Sequence, residues 1–178
     1  MRFRRPHPYR IFALHEAAHA CMYVSRGKAV AFLTIRSDEL EPEVDGFCKS
    51  TSDTGTADDL IDISLAGPMA EWRAFGNEDD FESFLAEHAG QLDIYRAGEL
   101  ARHRMAREFD DGARAPSSAL AEERQRNVWA WLADRCETVA KELDGLWPAV
   151  EAVADALLRE RRLSGEDVER ICREAGRR

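Results

Sequence analysis

The chain has 178 residues, of which 44% are hydrophobic, and it carries 34 acidic against 25 basic side chains. This length and apolar content are typical of one folded domain and exclude a disordered chain. The formal net charge of −9 argues against nucleic acid as a partner, because phosphate binding requires a basic surface. No stretch approaches the ~18 consecutive apolar residues of a membrane span, so we expect no such span and a cytoplasmic location.

Four cysteines are spread along the chain without a CxxC pair. Isolated cysteines of this kind are typical of reduced, mostly buried thiols. We therefore expect neither a disulfide framework nor a zinc site built from cysteines. These cysteines are Cys21, Cys48, Cys136 and Cys172.

The N-terminal part of the chain alternates between helical and strand patterns. Apolar residues at three- and four-residue steps predict a helix from Tyr9 to Arg26, and Gly27 follows as its C-cap. The segment "AVAFLTIR", residues 29–36, is rich in strand-forming residues and runs into an acidic loop. "GFCKS" after that loop predicts a short return strand.

The middle of the chain predicts two further helices. One covers residues 58–75 and the other begins near Gln91. The acidic stretch from Glu78 to Glu87 lies between them, and we interpret it as a solvated loop or a solvated helix face.

The C-terminal third is helical in pattern after a break rich in Gly and Pro. Two helices are predicted, over residues 119–144 and 147–162, the second with Pro148 near its start. A short closing helix follows, with Ser164 and Asp167 as a variant capping box. We therefore expect a mainly α fold, α+β with a small N-terminal β-sheet.

The segment "LHEAAH" contains a potential metal site. On a helix, His15 and His19 lie on one face, because residues four apart are neighbours there. Glu16 points to an adjacent direction, where it can reach a water molecule without binding the metal. Zinc lowers the pKa of its bound water to ~7, so this arrangement suits peptide hydrolysis. The alternative is a helix with two half-buried histidines, which would be costly to bury without partners.

A catalytic zinc needs a third protein ligand and an open fourth position. The candidates downstream are Glu71, His88, Asp93 and His103. The two carboxylates are favoured, because each lies on an apolar helix face and is expected to be buried. One would bind the metal and the other would orient a histidine.

Four blocks of the chain resemble the peptidase domain of the FtsH family of ATP-dependent zinc proteases. "ALHEAAHA" is similar to that family's H-E-A-G-H-A segment, and "ISLAGPMAEWRAFG" to its helix with A-G-R-x-A-E-E. "GQLDIYRAGELARHRM" resembles its G-A-S-N-D-L stretch, and "ADALLRERRLSGEDVERI" its closing segment. The blocks occur in family order and cover most of residues 9–172, which is far more specific than the first motif alone.

The resemblance implies a role for each candidate residue. It makes His15 and His19 zinc ligands, Asp93 the third ligand, Glu16 the catalytic base and Glu71 a supporting carboxylate. It also implies that the small sheet beside the cleft can hold a peptide by strand addition.

The domain organisation follows from the same resemblance. A single FtsH-peptidase-like domain would occupy residues 1–178. A zinc-binding core with the small sheet would cover residues 1–112, and a helical bundle part residues 113–178.

The chain also departs from the family. Ala18 replaces a glycine, Pro68 replaces an arginine, and the loop after the Asp93 helix is shorter. Neither a phosphate-binding loop for ATP nor a transmembrane helix is present in the sequence. We therefore expect an ATP-independent zinc metalloendopeptidase that cleaves peptides or unstructured protein segments, or one served by a separate ATPase, with oligomer formation left open.

Two alternatives remain at this point. One is a non-catalytic zinc-binding interaction or regulatory module that retains the peptidase fold. The other is a different class of H-E-x-x-H peptidase, in which the third ligand would be Glu71 or His88.

Overall fold

The computed structural model describes residues 8–35, 46–51, 55–75, 80–88, 91–108 and 118–176. Within these ranges the chain forms six α-helices and a small β-sheet, so the predicted mainly α fold with a small sheet is confirmed. The elements in chain order are α1 (Pro8–Ser25), β1 (Val30–Ile35), β2 (Gly46–Ser50), α2 (Ala57–Phe75), α3 (Phe81–His88), α4 (Leu92–Glu108), α5 (Ser118–Glu160), β3 (Arg162–Ser164) and α6 (Gly165–Ala175). The predicted acidic loop after β1 and the break before α5 lie outside the described residues.

The sheet has three antiparallel strands in the order β2-β1-β3. Leu33 of β1 lies opposite Cys48 of β2 on one side and opposite Leu163 of β3 on the other. Strands β1 and β2 were predicted, whereas β3 was not. With only three residues, β3 is too short to show an alternating pattern, and it becomes a strand through its pairing with β1.

Helix α1 runs through the centre of the fold and contacts α2 and α5. Four small side chains on α1 are completely buried, which lets the neighbouring helices approach closely. They are Ala13, Ala17, Ala18 and Ala20. The methyl group of Ala18, where the FtsH family has glycine, is therefore accommodated inside the core.

Helix α5 corrects one prediction from the sequence. Residues 119–144 and 147–162 were expected to form two helices, but one continuous helix of 43 residues covers Ser118–Glu160 and includes Pro148. Leu143 and Val150 are both buried, two turns apart on one face of this helix. Their packing outweighs the backbone hydrogen bond that a proline removes from a helix.

The acidic stretch before α4 was left open between a loop and a helix face. Residues Phe81–His88 form helix α3, which buries Phe84 and Leu85. The carboxylate of Asp80 caps its first turn, because its Oδ1 accepts a hydrogen bond from the Ser83 backbone N–H at 2.9 Å. Glu82 and Glu87 of this stretch therefore lie on a helix that also contributes to the core, whereas Glu78 and Asp79 lie outside the described residues.

The predicted cap of α6 is confirmed. Ser164 is the N-cap residue, and its hydroxyl accepts a hydrogen bond from the backbone N–H of Asp167 at 3.2 Å.

Among the described helices, none is long and apolar enough to cross a membrane.

A buried ion-pair network joins α2 to α5 and to the end of α1. Asp62 on α2 is only 1% exposed. Its carboxylate accepts hydrogen bonds from Arg135 at 2.7 and 2.5 Å and from Arg26 at 3.0 Å. Two guanidinium groups thus satisfy one buried carboxylate, and they hold α2 against both neighbours.

Candidate metal centre

Three side chains from two helices meet at one point. His15 and His19 lie one turn apart on α1, and Asp93 lies in the first turn of α4. The two Nε2 atoms are 3.0 Å apart, and Asp93 Oδ2 lies 3.0 Å from His15 Nε2 and 3.3 Å from His19 Nε2. Among the described residues these three form a group that could hold a metal ion.

The other ring nitrogen of each histidine is held by an acceptor on α2. His15 Nδ1 donates to Glu71 Oε1 at 2.7 Å, and His19 Nδ1 donates to the backbone carbonyl of Ile63 at 2.6 Å. A carboxylate and a carbonyl can only accept, so both Nδ1 atoms are assigned the proton. In the neutral tautomers each Nε2 then presents a lone pair toward Asp93.

This arrangement fits a zinc ion. Three acceptor atoms facing one another at 3.0–3.3 Å repel unless a metal ion or a proton lies among them. In a tetrahedral zinc site, bonds of ~2.0–2.1 Å place the ligand atoms about 3.3 Å from one another. Two imidazoles and a carboxylate are ligand types that zinc accepts, and the hydrogen bonds at Nδ1 orient the rings as outer partners of metal-binding histidines do.

The electrostatics of the site also favour a cation. Burial lowers the pKa of His15, but its hydrogen bonds with Asp93 and Glu71 outweigh burial and raise the pKa to about 10. Burial raises the pKa of Asp93, but the attraction of His19 and His15 outweighs burial and holds the pKa well below its usual range. Without a metal, the site therefore takes up a proton to balance its carboxylates.

Glu16 lies beside the three-atom group, on α1, and is 8% exposed. Burial raises its pKa, against the opposing attraction of His19 and His15. Its side chain packs against the backbone of β2, where a Cβ built on Gly46 would lie 2.8 Å from both Glu16 Cγ and Oε1. Gly46 thus leaves the space that Glu16 occupies.

Gly67 on α2 also belongs to the site, although it was not among the candidate residues. A Cβ built on Gly67 would lie 2.5 Å from the Nε2 atoms of both His15 and His19. The backbone of α2 therefore closes one side of the group of candidate ligands, and there is no space for a side chain. A glycine inside a helix costs about 1 kcal/mol of stability relative to alanine. A glycine at an internal helix position of the sequence can therefore indicate that another group approaches the helix backbone closely.

A cleft of about 560 Å³ opens onto these residues. Its walls contain Glu16 and Glu71 together with the three-atom group, and Arg96 adds a basic side chain. Much of the remaining wall is apolar, and sequence reasoning did not identify these residues. They are Phe12, Tyr23, Phe47, Ile63 and Leu92.

The two other histidine candidates lie elsewhere. His88 Nδ1 donates to the backbone carbonyl of Phe84 at 2.9 Å, and its ring stacks on the Phe84 ring at a centroid distance of 4.4 Å. His103 is exposed on α4. Neither belongs to the group of possible metal ligands found among the described residues.

No protein-family model matches the chain, and no curated protein matches it at a significant level. The resemblance to the FtsH peptidase domain thus stays a prediction from sequence motifs. The geometry and chemistry of the site itself are therefore the basis for inferring a function.

Proposed function

We propose that this protein is a zinc-dependent metallopeptidase that hydrolyses peptide bonds in peptides or unstructured protein segments. The observation that carries the proposal is the convergence of His15, His19 and Asp93 beside Glu16 in an open cleft. Two imidazoles and one carboxylate leave a fourth position for water or substrate, as in catalytic rather than structural zinc sites.

In this proposal each side chain has a distinct task. His15, His19 and Asp93 hold the ion, while Glu71 and the Ile63 carbonyl fix the orientation of the two imidazoles. When bound, zinc supplies a Lewis acid that lowers the pKa of water to about 7 and polarises the scissile carbonyl.

Glu16 acts as the general base. It takes a proton from the attacking water and passes it to the leaving amine. In the metal-free site burial raises the pKa of this carboxyl, and a bound zinc ion would oppose that shift by favouring the carboxylate that a base requires.

The shape of the cleft supports a peptide as substrate. Strand β2 forms one wall and is the outermost strand of the sheet. Its outer edge has no strand partner among the described residues, so an extended peptide can add to it by backbone hydrogen bonds. Phe47 on this strand and Leu92 at the start of α4 are 40% and 78% exposed and offer apolar contacts to substrate side chains.

The test combines metal analysis with hydrolysis of an unfolded casein substrate. Wild type is expected to bind one zinc per chain and to cleave casein. Glu16→Gln should retain zinc but lose activity by about 10²–10⁴-fold, the usual contribution of a general base. Glu151→Gln, an exposed glutamate on α5, is the matched control and should behave as wild type.

A second variant tests the ligand set. Asp93→Ala should lose stoichiometric zinc and hydrolysis together. Full activity of Glu16→Gln, or full zinc content of Asp93→Ala, would contradict the proposal. Stoichiometric zinc without cleavage by wild type would favour the non-catalytic binding module instead.

A further inference from the structure

Two of the four cysteines meet although they are far apart in sequence. Cys21 lies on α1 and Cys172 on α6, separated by 151 positions, and their Sγ atoms are 3.6 Å apart. At this separation the two sulfur atoms are in contact but not bonded, and both residues are free thiols in the structure. A disulfide requires an S–S distance of about 2.05 Å, so a closing movement of about 1.5 Å would join them.

A second cavity, of about 240 Å³, opens at this pair. It is lined by both cysteines and by residues of α5 such as Leu146 and Ala149, and its lining shares no residue with that of the metal-site cleft. Cys21 is 2% exposed, whereas Cys172 is half-buried. A water molecule occupies about 30 Å³ of liquid, so the cavity has room for a small hydroperoxide beside Cys172.

We propose that Cys21 and Cys172 are a redox pair, which a hydroperoxide such as hydrogen peroxide converts into a reversible disulfide between α1 and α6. In the first step the Cys172 thiolate attacks one peroxide oxygen. An S–O bond forms and the O–O bond breaks. The products are a sulfenic acid on Cys172 and hydroxide, which takes up a proton to become water.

In the second step the Cys21 sulfur attacks the Cys172 sulfur. The S–S bond forms, the S–O bond breaks, and the hydroxide released combines with the proton of Cys21 as a second water. Two thiols are oxidised and one peroxide is reduced to two waters. A dithiol reductant reverses the reaction by thiol–disulfide exchange.

The surroundings assign the first step to Cys172. Either sulfur can donate across the 3.6 Å contact. When the Cys21 thiol donates, the contact favours the thiolate of Cys172 and lowers its pKa, and the thiolate is the reactive form of cysteine. Cys172 is also the more accessible of the two. Cys21 is placed as the resolving thiol, already in contact with the sulfur that it must attack.

The disulfide would link the helix that carries both histidines to the last helix of the fold. Because it would close a loop of about 150 residues, it should stabilise the folded state mainly by restricting the unfolded chain. This proposal depends on the sulfur contact and the cavity and is independent of the proposed peptidase function.

The first experiment treats the purified full chain with a small excess of hydrogen peroxide under native conditions. Free thiols should fall from the four in the sequence to two, and the mass should decrease by two hydrogen atoms. Proteolytic mapping should identify the Cys21–Cys172 linkage. The Tm should rise by roughly 10 °C, and dithiothreitol should reverse all of these changes.

Matched variants separate this pair from the other thiols. Cys172→Ser and Cys172→Ala should form no disulfide and show no rise in Tm, whereas Cys48→Ser should still oxidise as wild type does. Retention of all four thiols in the wild type would overturn the proposal. So would a disulfide that involves Cys48 or Cys136, or oxidation of Cys172 to a sulfinic acid without linkage.

Discussion

Two carboxylates of this molecule each contact two basic side chains but have different partners. Asp62 on α2 is buried, whereas Asp93 on α4 is half-buried. The partners of Asp62 are Arg26 and Arg135, and those of Asp93 are His15 and His19.

Arginine and histidine differ in whether their side chains always carry a charge. A guanidinium is always charged, so the Asp62 network is complete as it stands. A neutral imidazole offers Asp93 only a second lone pair, and its charge depends on a proton or a metal ion. The comparison therefore supports a structural role for the arginine-paired carboxylate, and it supports the proposal that the histidine-paired carboxylate binds a cation.

The largest expected effect on stability comes from breaking the structural tie. Asp62→Ala removes the carboxylate whose two oxygens Arg135 contacts, and it removes one of the carboxylates that Arg26 contacts, although Arg26 keeps Glu142 at 2.6 Å. We expect the free energy of unfolding to fall by about 3–5 kcal/mol, measured by urea denaturation. Zinc content of the folded variant should stay at the wild-type level.

Lys141→Ala is the control for this measurement. It removes an exposed ion pair with Glu137 on α5, and such pairs contribute little to stability. If Asp62→Ala were as stable as this control, the buried network would not be the tie between helices that we describe.

Gly67→Ala tests the candidate metal site without removing any of its three side chains. Gly67→Ala places a methyl group 2.5 Å from both Nε2 atoms, so the imidazoles must move from their positions. We expect zinc affinity to fall by about 100-fold, or about 2.7 kcal/mol, measured by competition with a fluorescent chelator. Because the methyl group must displace two hydrogen-bonded rings, a thermal melt of the metal-free variant measures any loss of stability separately from the loss of zinc affinity.

Gly98→Ala is the matched control for Gly67→Ala. It is also a glycine within a helix, but its Cβ would meet nothing closer than the Arg102 side chain at 3.7 Å. Its zinc affinity should equal that of the wild type. Equal affinities for the two alanine variants would show that the metal lies away from the face of α2.

Much of the fold could be predicted from local sequence. Helix α1 and the pair of strands after it were predicted from periodicity and composition. The expected burial of Asp93 and Glu71 on apolar helix faces was enough to favour carboxylates over His88 and His103 as site residues, although both side chains are half-buried in the structure. These signals depend only on neighbours in the chain.

The features that were not predicted depend on contacts between distant segments. The continuity of α5 past Pro148 depends on packing against other helices, and β3 exists only because β1 lies beside it. The contact between Cys21 and Cys172 joins positions near opposite ends of the chain. The function of Gly67 depends on where two imidazoles of another helix lie, which its own neighbours do not reveal.

The smallest expected effect on zinc affinity comes from changing Glu71, which accepts a hydrogen bond from His15 but is not one of the three candidate ligands. Glu71→Gln retains an oxygen that can accept the hydrogen bond from His15 Nδ1, but it removes a negative charge. Glu71→Ala removes both. We expect zinc affinity to fall by about 10-fold in the first variant and by up to about 100-fold in the second.

The graded response separates orientation from charge. Similar losses in both variants would mean that the charge of Glu71 is what matters, whereas a loss confined to Glu71→Ala would mean that it acts by orienting the ring. Glu99→Gln on α4, a partly exposed glutamate paired with Arg102, is the control and should leave affinity unchanged. Complete loss of zinc in Glu71→Gln, with zinc retained in Asp93→Ala, would instead make Glu71 the third ligand. Asp93 would then be a structural carboxylate like Asp62, and Glu71 would be the carboxylate that binds the cation.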